Sequence, residues 1–339
     1  MTAKQRYFIE LAYDGTAYHG WQVQQNAHSV QAALNKALST ILRQPIETTG
    51  CGRTDTGVHA KEFFAHFDVV EEVHGSSFMD HGGEGGVHGS LFMDHGKEGG
   101  VHGSSFMDHG KEGGVHGSLF MDHGKEGDVH SDEAASAMSH QPSTINPSAM
   151  NHEPSTINPS AMNQKIRGLN SILPADIAIK NIIPVGPAAH ARFDATLRSY
   201  QYHVHFNKDP FLRGYSWQLR DVPDMELMNQ AAAMMMDYID FSCFSKSNTQ
   251  VKTNNCKISR AEWVKTEQGM VFHISADRFL RNMVRAIVGT LMMVGRKEIP
   301  PEAVKQIIES KNRSNAGMSV PACGLYLTEV KYPFLVASS

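Results

Sequence analysis

Within seven positions, Arg53, Thr54, Asp55 and His59 bring a cation, a hydroxyl, a carboxylate and an imidazole together. They lie in the stretch Gly-Cys-Gly-Arg-Thr-Asp-Thr-Gly-Val-His-Ala over residues 50–60, which Gly50, Gly52 and Gly57 punctuate. Glycines allow a sharp turn and a close approach of backbone or ligand, while the polar groups supply chemistry. On residue types alone two readings fit: an active-site loop, or a polar turn in which Asp55 bonds its own backbone.

A second cationic set lies far along the chain. Leu280, Met283, Val284, Ile287 and Leu291 space an apolar stripe and predict a helix over 278–294. On that helix Arg278, Arg281, Arg285 and Gly289 share another stripe, either a solvated face or one meeting phosphates and carboxylates. Arg285 stands among Val284, Ala286, Ile287 and Val288, which points to partial burial. A buried arginine needs a carboxylate partner, and Asp55 is the obvious candidate.

Strands and helices of an α+β protein surround these residues. Arg6–Tyr13, Thr48–Cys51, Phe63–Val70 and Ile177–Ile183 read as strands. Ser29 caps a helix whose apolar residues Val30, Leu34, Ala37, Leu38 and Ile41 define Val30–Leu42. A helix is expected from Ile166 to Leu173 before Pro174, and a loop over His190–Ala195. Tyr200, Tyr202, Val204 and Phe206 alternate on one face of a strand. Met225–Met236 is a helix and Asp240–Phe244 a loop, while Ile258–Val264 and Met270–Ala276 form a hairpin. A short helix at Ala303–Glu309 and a strand at Leu325–Val330 close the chain.

Residues 73–163 are of another composition. Val-His-Gly-Ser recurs from Val73 at Val87, Val101 and Val115, and Ser-Ala-Met recurs from Ser136 at Ser148 and Ser160. Each unit offers little to bury against about 1–2 kcal/mol of entropy for each residue fixed. The tract therefore reads as a disordered acidic insertion rather than a solenoid. Its histidines, regularly spaced from His74 to His130, lack a compact ligand set, so metal binding there is read as incidental.

Of the 339 residues, 71–163 hold fourteen Asp and Glu against three Lys, a formal −11; the total of −4 leaves +7 on the rest. A basic body suits a polyanion such as RNA. No apolar run is long enough to span a membrane. Cys51, Cys243, Cys256 and Cys323 are scattered, which suggests free thiols in a reducing cytoplasm and no zinc site.

Cys51–Ala60 resembles the catalytic motif of the tRNA pseudouridine synthase A family. More of that family's pattern follows in order: Tyr13–Thr16, Gly20–Gln22, His190–Ala195, Tyr200–Tyr202, Asn282–Arg285 and Gly324–Leu327. The resemblance spans nearly the whole chain apart from 73–163. It implies two similar halves, each a sheet with helices on one face, meeting at a cleft that holds Asp55. The N-terminal half is then 1–72 plus 164–195, and 196–339 completes the cleft. It further implies isomerisation of uridine to pseudouridine at positions 38, 39 and 40 of the tRNA anticodon stem-loop, by a cytoplasmic homodimer without metal or other cofactor. A paired uridine has to be flipped out to be reached. In the resemblance Asp55 is the catalytic carboxylate, as nucleophile or base, and Arg53 holds the flipped geometry. Tyr200 stacks on the uracil, Arg285 pairs with Asp55, Leu325 walls the pocket, and Tyr18, His19 and Trp21 lie near the RNA. The alternatives are a non-catalytic RNA-binding relative, and a hydrolase using Asp55 with His59.

Overall fold

The computed structural model describes residues 2–72, 159–245 and 253–335; nearly all of the repetitive tract lies outside them. The described residues form a mixed sheet with helices packed against it. In chain order the elements are β1 (Thr2–Tyr13), α1 (Val30–Leu42), β2 (Thr49–Gly50), β3 (His59–Glu72), α2 (Pro159–Ile172), β4 (Ile177–Val185), β5 (Leu197–His205), β6 (Trp217–Gln218), α3 (Met225–Met235), β7 (Ile258–Lys265), β8 (Gly269–Ala276), α4 (Met283–Gly295), α5 (Ala303–Glu309) and β9 (Leu325–Lys331). The sheet runs β4-β1-β3-β9-β5-β8-β7, with β2 beside β3 and β6 beside β5.

The local signals in the sequence explain most of these elements. Ser29 Oγ accepts from the Ala32 amide at 3.3 Å, and Val30, Leu34, Ala37 and Leu38 face inward from α1. The chain leaves that helix through Arg43, whose φ of 54° is left-handed. Asp224 caps α3 in the same manner, accepting from Leu227 N at 3.2 Å. Along β5, Tyr202 and Val204 point into the core, while Ser199, Gln201 and His203 take the other face.

Two apolar clusters hold the helices. One gathers α1 and α2 with β1, β3 and β4 around Phe8, Leu11, Leu34 and Phe63. The other gathers α3, α4 and α5 with β5, β7 and β8 around Tyr202, Phe272, Ile287 and Leu291. Full burial of each such side chain stabilises by roughly 1.5–3 kcal/mol. Tyr200 packs against both clusters.

The strands around the two clusters join at a short parallel seam, where His59 of β3 pairs with Tyr326 of β9 and Ala60 with Leu327. β3 therefore starts inside the 50–60 stretch, earlier than Phe63, the start predicted from sequence. Its first residues follow Gly57 without the alternation that marks a strand, and the seam supplies the pairing instead. The seam places the loop carrying Asp55 at the end of the sheet where β9 also begins.

Two helix starts also differ from the sequence reading. Helix α2 begins at Pro159, inside the span assigned to the insertion; proline suits a first helical turn, where its missing N–H costs nothing. Helix α4 begins at Met283, not Arg278, because Asn282 adopts a φ of 66°. Asn is among the few residues that tolerate this left-handed conformation, and its side-chain amide donates to Ser319 Oγ. Arg281 therefore lies in the turn before the helix and Arg278 in the irregular segment ahead of it, and neither shares a helix face with Arg285. Nor does Gly289 face solvent or an anion. A Cβ there would lie 1.8 Å from the Met318 carbonyl oxygen, so its bare backbone admits the 317–318 segment against α4.

Among the described residues no helix is long and apolar enough to cross a membrane.

Candidate active site

The loop 51–58 is fastened to the segment that follows β1. Trp21 N donates to the Thr54 carbonyl at 3.4 Å, and Gly57 N to that of Tyr18 at 3.3 Å. Gly20 has a φ of 90°, and a Cβ there would stand 2.2 Å from the Thr54 oxygen, so no larger residue fits. Tyr13 Oη and Thr54 Oγ1 share a hydrogen bond of 2.9 Å. Beneath the loop, Trp21 stacks on Phe63 with ring centroids 4.1 Å apart. Tyr18 and Trp21 are thus buried supports and not surface contacts for a ligand. The resemblance placed them near the RNA, and the fold packs them beneath the loop instead. From this segment His19, Gln22, Val23 and Gln24 line the cleft.

The Asp55 side chain, 23% exposed, faces two guanidinium groups. Arg285 Nη1 is 3.6 Å from one carboxylate oxygen, and Arg281 Nε is 3.7 Å from the other. Both separations are too long for a hydrogen bond. Charge therefore holds the carboxylate, and its lone pairs stay available to an incoming group. It does not bond the backbone of its own loop, so the polar-turn reading fails. Arg285, at 20% exposure, anchors itself by donating from Nε to the Val320 carbonyl at 2.7 Å. The pairing expected from Arg285's apolar neighbours is present even though the helix starts later.

Asp55 lines an open cleft of about 970 Å³ with His19, Gln22, Arg53, Arg281, Arg285 and Arg313 among its neighbours. That is the upper end of the roughly 300–1,000 Å³ usual for ligand sites. Asp55 is the sole carboxylate among the lining residues, against four arginines. Arg313 is itself fixed, donating to the carbonyls of Ala316 and Gly317 and to Ser319 Oγ. The surplus of positive charge favours an anion beside the single carboxylate.

Three of the five residues singled out from sequence, Arg53, Asp55 and Arg285, line this cleft. Tyr200 and Leu325 do not. Leu325 is buried at the start of β9. Tyr200 is half-buried outside the cleft lining, its ring edge-on to Phe279 at 5.1 Å. Its phenol is pushed up chiefly by burial, then by the Cys51 thiol and, more weakly, by the Asp55 carboxylate, while Arg198 opposes the rise. Among the described residues its hydroxyl has no hydrogen-bond partner.

The other reactive groups of the 50–60 stretch are occupied elsewhere. His59 is 2% exposed and takes the Gly15 amide at Nδ1, with Asp14 Oδ1 3.0 Å from the same nitrogen. Its Nε2 meets the Gly214 carbonyl at 3.0 Å, and the ring stacks on Tyr326. A hydrolase pairing Asp55 with His59 has no support in this arrangement. Burial pushes the Cys51 thiol up to about 11, so it is no nucleophile near neutral pH.

Arg198 was not foreseen. This cation is 8% exposed, and its five hydrogen bonds all go to backbone carbonyls: two to Cys51 and one each to Arg192, Ala195 and Asp277. It ties the Asp55 loop to the 190–195 loop and to the turn before α4. The sequence held a signal for it, since Arg198 shares strand parity with the inward Tyr200, Tyr202 and Val204.

Comparison with known proteins identifies the family of the chain. Residues 234–333 match the family model described as tRNA pseudouridine synthase. A protein of Bacteroides thetaiotaomicron named tRNA pseudouridine synthase A is 40% identical, with 97% of this chain and 91% of the relative covered. One of the same name from Porphyromonas gingivalis is 39% identical, with 97% of each covered. A more distant one from Clostridium acetobutylicum is 29% identical over 96% of this chain and 98% of its own. At such identity over nearly the full length, the chain belongs to the tRNA pseudouridine synthase A family.

Proposed function

We propose that this protein isomerises uridine to pseudouridine at positions 38, 39 and 40 of the tRNA anticodon stem-loop. The observation that carries the reading is Asp55, a lone carboxylate with open lone pairs in a cleft of arginines. The reaction breaks the bond from C1′ to N1, turns the uracil, and joins C1′ to C5. The C5 proton leaves and N1 gains one, so atoms and oxidation state balance within the substrate. Asp55 serves as nucleophile or base at the reacting nucleotide, and Arg285 is its counter-ion. Arg53 occupies the space that the flipped nucleotide leaves or holds its phosphate. Tyr200 and Leu325 do not line the cleft; on this reading a uracil inserted toward them would find a ring to stack on and an apolar wall.

Two similar halves meeting at this cleft, 1–72 with 164–195 and then 196–339, suit a substrate gripped from both sides. A homodimer would let one tRNA touch two chains, and four unpaired thiols suit a cytoplasmic setting. The acidic repeats between β3 and α2 play no part in the chemistry on this reading.

Incubation with tRNA transcripts, followed by position-resolved pseudouridine mapping, tests the function. Pseudouridine at 38–40 is the expected result. Free uracil, cut RNA or unmodified tRNA would refute it.

A further inference from the structure

The loop His190–Ala195 combines a rigid backbone with an exposed ring. His190 N donates to Asp194 Oδ2 at 2.8 Å, and His190 Nδ1 accepts from the amides of Arg192 and Phe193. Ala191 is held on both sides, its amide by His66 Nδ1 and its carbonyl by Tyr332 Oη. On this fastened turn Phe193 is 74% exposed. His190 lies 4.2 Å from its ring centroid and the Arg192 guanidinium carbon 5.8 Å, so neighbours orient the ring without covering it. A lone exposed phenylalanine is ordinary; one so fixed beside unpaired cations is a site.

The cations come from three segments that Arg198 gathers. Its hydrogen bonds reach the carbonyls of Arg192 itself, of Cys51 two residues before Arg53, and of Asp277 just before Arg278. Among the described residues the side chains of Arg53, Arg192 and Arg278 have neither an ion pair nor a hydrogen bond. They crowd one another: the Arg192 guanidinium is held below its ordinary value by burial first, then by Arg53, Arg198 and Arg278. Gathering like charges around a buried cation costs stability in the free protein. An anion placed among them recovers that cost.

We propose that the His190–Ala195 loop is an RNA-contact site beside the Asp55 cleft. There Phe193 stacks on an unpaired base of the substrate, and Arg192 and Arg278 hold the phosphates flanking it. The assignment rests on tRNA being the substrate, as inferred above. A planar ring and guanidinium forks suit an unstacked loop nucleotide better than a duplex, whose bases are already stacked.

The test measures binding and single-turnover pseudouridine formation on one anticodon stem-loop RNA, across a salt series. Phe193→Ala is expected to weaken binding about tenfold, within the range for losing one stacked base. Its salt dependence stays that of the parent protein, and Phe193→Trp restores affinity. Arg192→Gln and Arg278→Gln each lower the slope of log affinity against log salt by about one, as for one lost phosphate contact. Parent-like affinity in Phe193→Ala, with the parent protein still forming pseudouridine, overturns the stacking site alone. A parent protein that forms no pseudouridine defeats the proposed function instead. Unchanged slopes in both arginine variants remove the phosphate contacts.

Discussion

Two arginines hold the same loop in different ways. Arg198 donates five hydrogen bonds to carbonyls and leaves none of its guanidinium to a ligand. Arg285 spends its Nε on one carbonyl and meets Asp55 at 3.6 Å, across a partly solvated gap. The first contact is closed and fully satisfied, and the second is open and loose. A loop clamped by hydrogen bonds at the Cys51 carbonyl and held by charge alone at the Asp55 carboxylate keeps its backbone still while that carboxylate can meet an incoming group. Preorganisation of this kind places the energetic burden on the scaffold rather than on the reacting groups.

The sharpest break of this contrast is to remove the carboxylate and leave both arginines. Asp55→Asn preserves size and the Arg198 clamp. Turnover is expected to fall below detection with excess enzyme, while tRNA affinity stays within about threefold, or about 0.7 kcal/mol. Melting should shift by a few degrees at most, upward if anything, since an active-site charge often costs stability. A substantial residual rate of pseudouridine formation would take Asp55 out of the mechanism.

Next in size is the clamp. Arg198→Met keeps an apolar stem but leaves the buried carbonyls of Cys51 and Ala195, and the more exposed ones of Arg192 and Asp277, without their donor. Unsatisfied buried groups cost about 1–3 kcal/mol each, partly recovered if water enters. A loss of about 3–5 kcal/mol in denaturant unfolding is expected, large for one substitution. Arg285→Ala should do the reverse: little change in unfolding, and a fall in turnover worth about 2–3 kcal/mol, or roughly 30–150-fold. Arg285→Lys should recover only part, for lack of the planar fork. If the two arginines give the same ratio of stability loss to turnover loss, the contrast drawn here does not exist.

That contrast also separates what the sequence discloses from what it hides. Asp55 and Arg285 were legible as partners because opposite charges and apolar flanks are written in residue identity. The partners of Arg198 were not, because a backbone carbonyl has no letter of its own. Helix α1 could be bounded to the residue, where the apolar periodicity and the Ser29 cap agreed, and the bounds expected for α5 hold as well. The start of α4 was missed because a left-handed Asn282 breaks a pattern that the side chains of Arg278–Met283 carry straight through. The seam between β3 and β9 joins residues far apart in the chain, beyond the reach of any local pattern. Tyr18 and Trp21 show the same limit, since packing beneath a loop and lining it call for the same aromatic residues.

The smallest effect concerns acid, and it sharpens the comparison by testing the far end of the clamped scaffold. His66 holds the Ala191 amide, and its pKa is lowered to about 4, by burial first and then by His190 and Arg6, against the opposing pull of Asp68 and Asp194. His203 is lowered to about 4 as well, by burial and then by Lys61, His273 and His59. An unfolded histidine protonates near 6.5. Between pH 6.5 and 4 the unfolded chain therefore binds protons that these two sites in the folded chain refuse, and stability falls as pH falls. Above about pH 7 both states are neutral there, and the contribution is flat. Carboxylates such as Asp68 and Asp240, lowered to about 2, lose their stabilisation only below the unfolded value near 4, so the two windows separate. Each histidine should contribute on the order of 1 kcal/mol after screening by solvent. Denaturant midpoints measured from pH 8 to 4.5 should stay level to about 7 and then decline. His66→Gln, which keeps an acceptor for Ala191, should flatten part of that decline, the rest coming from His203 and from His190 and His273, which burial also lowers. A parent midpoint that holds level down to pH 5 would show that the folded histidines take up protons as readily as the unfolded ones. The 190–195 loop would then be less tightly fixed than its hydrogen bonds indicate.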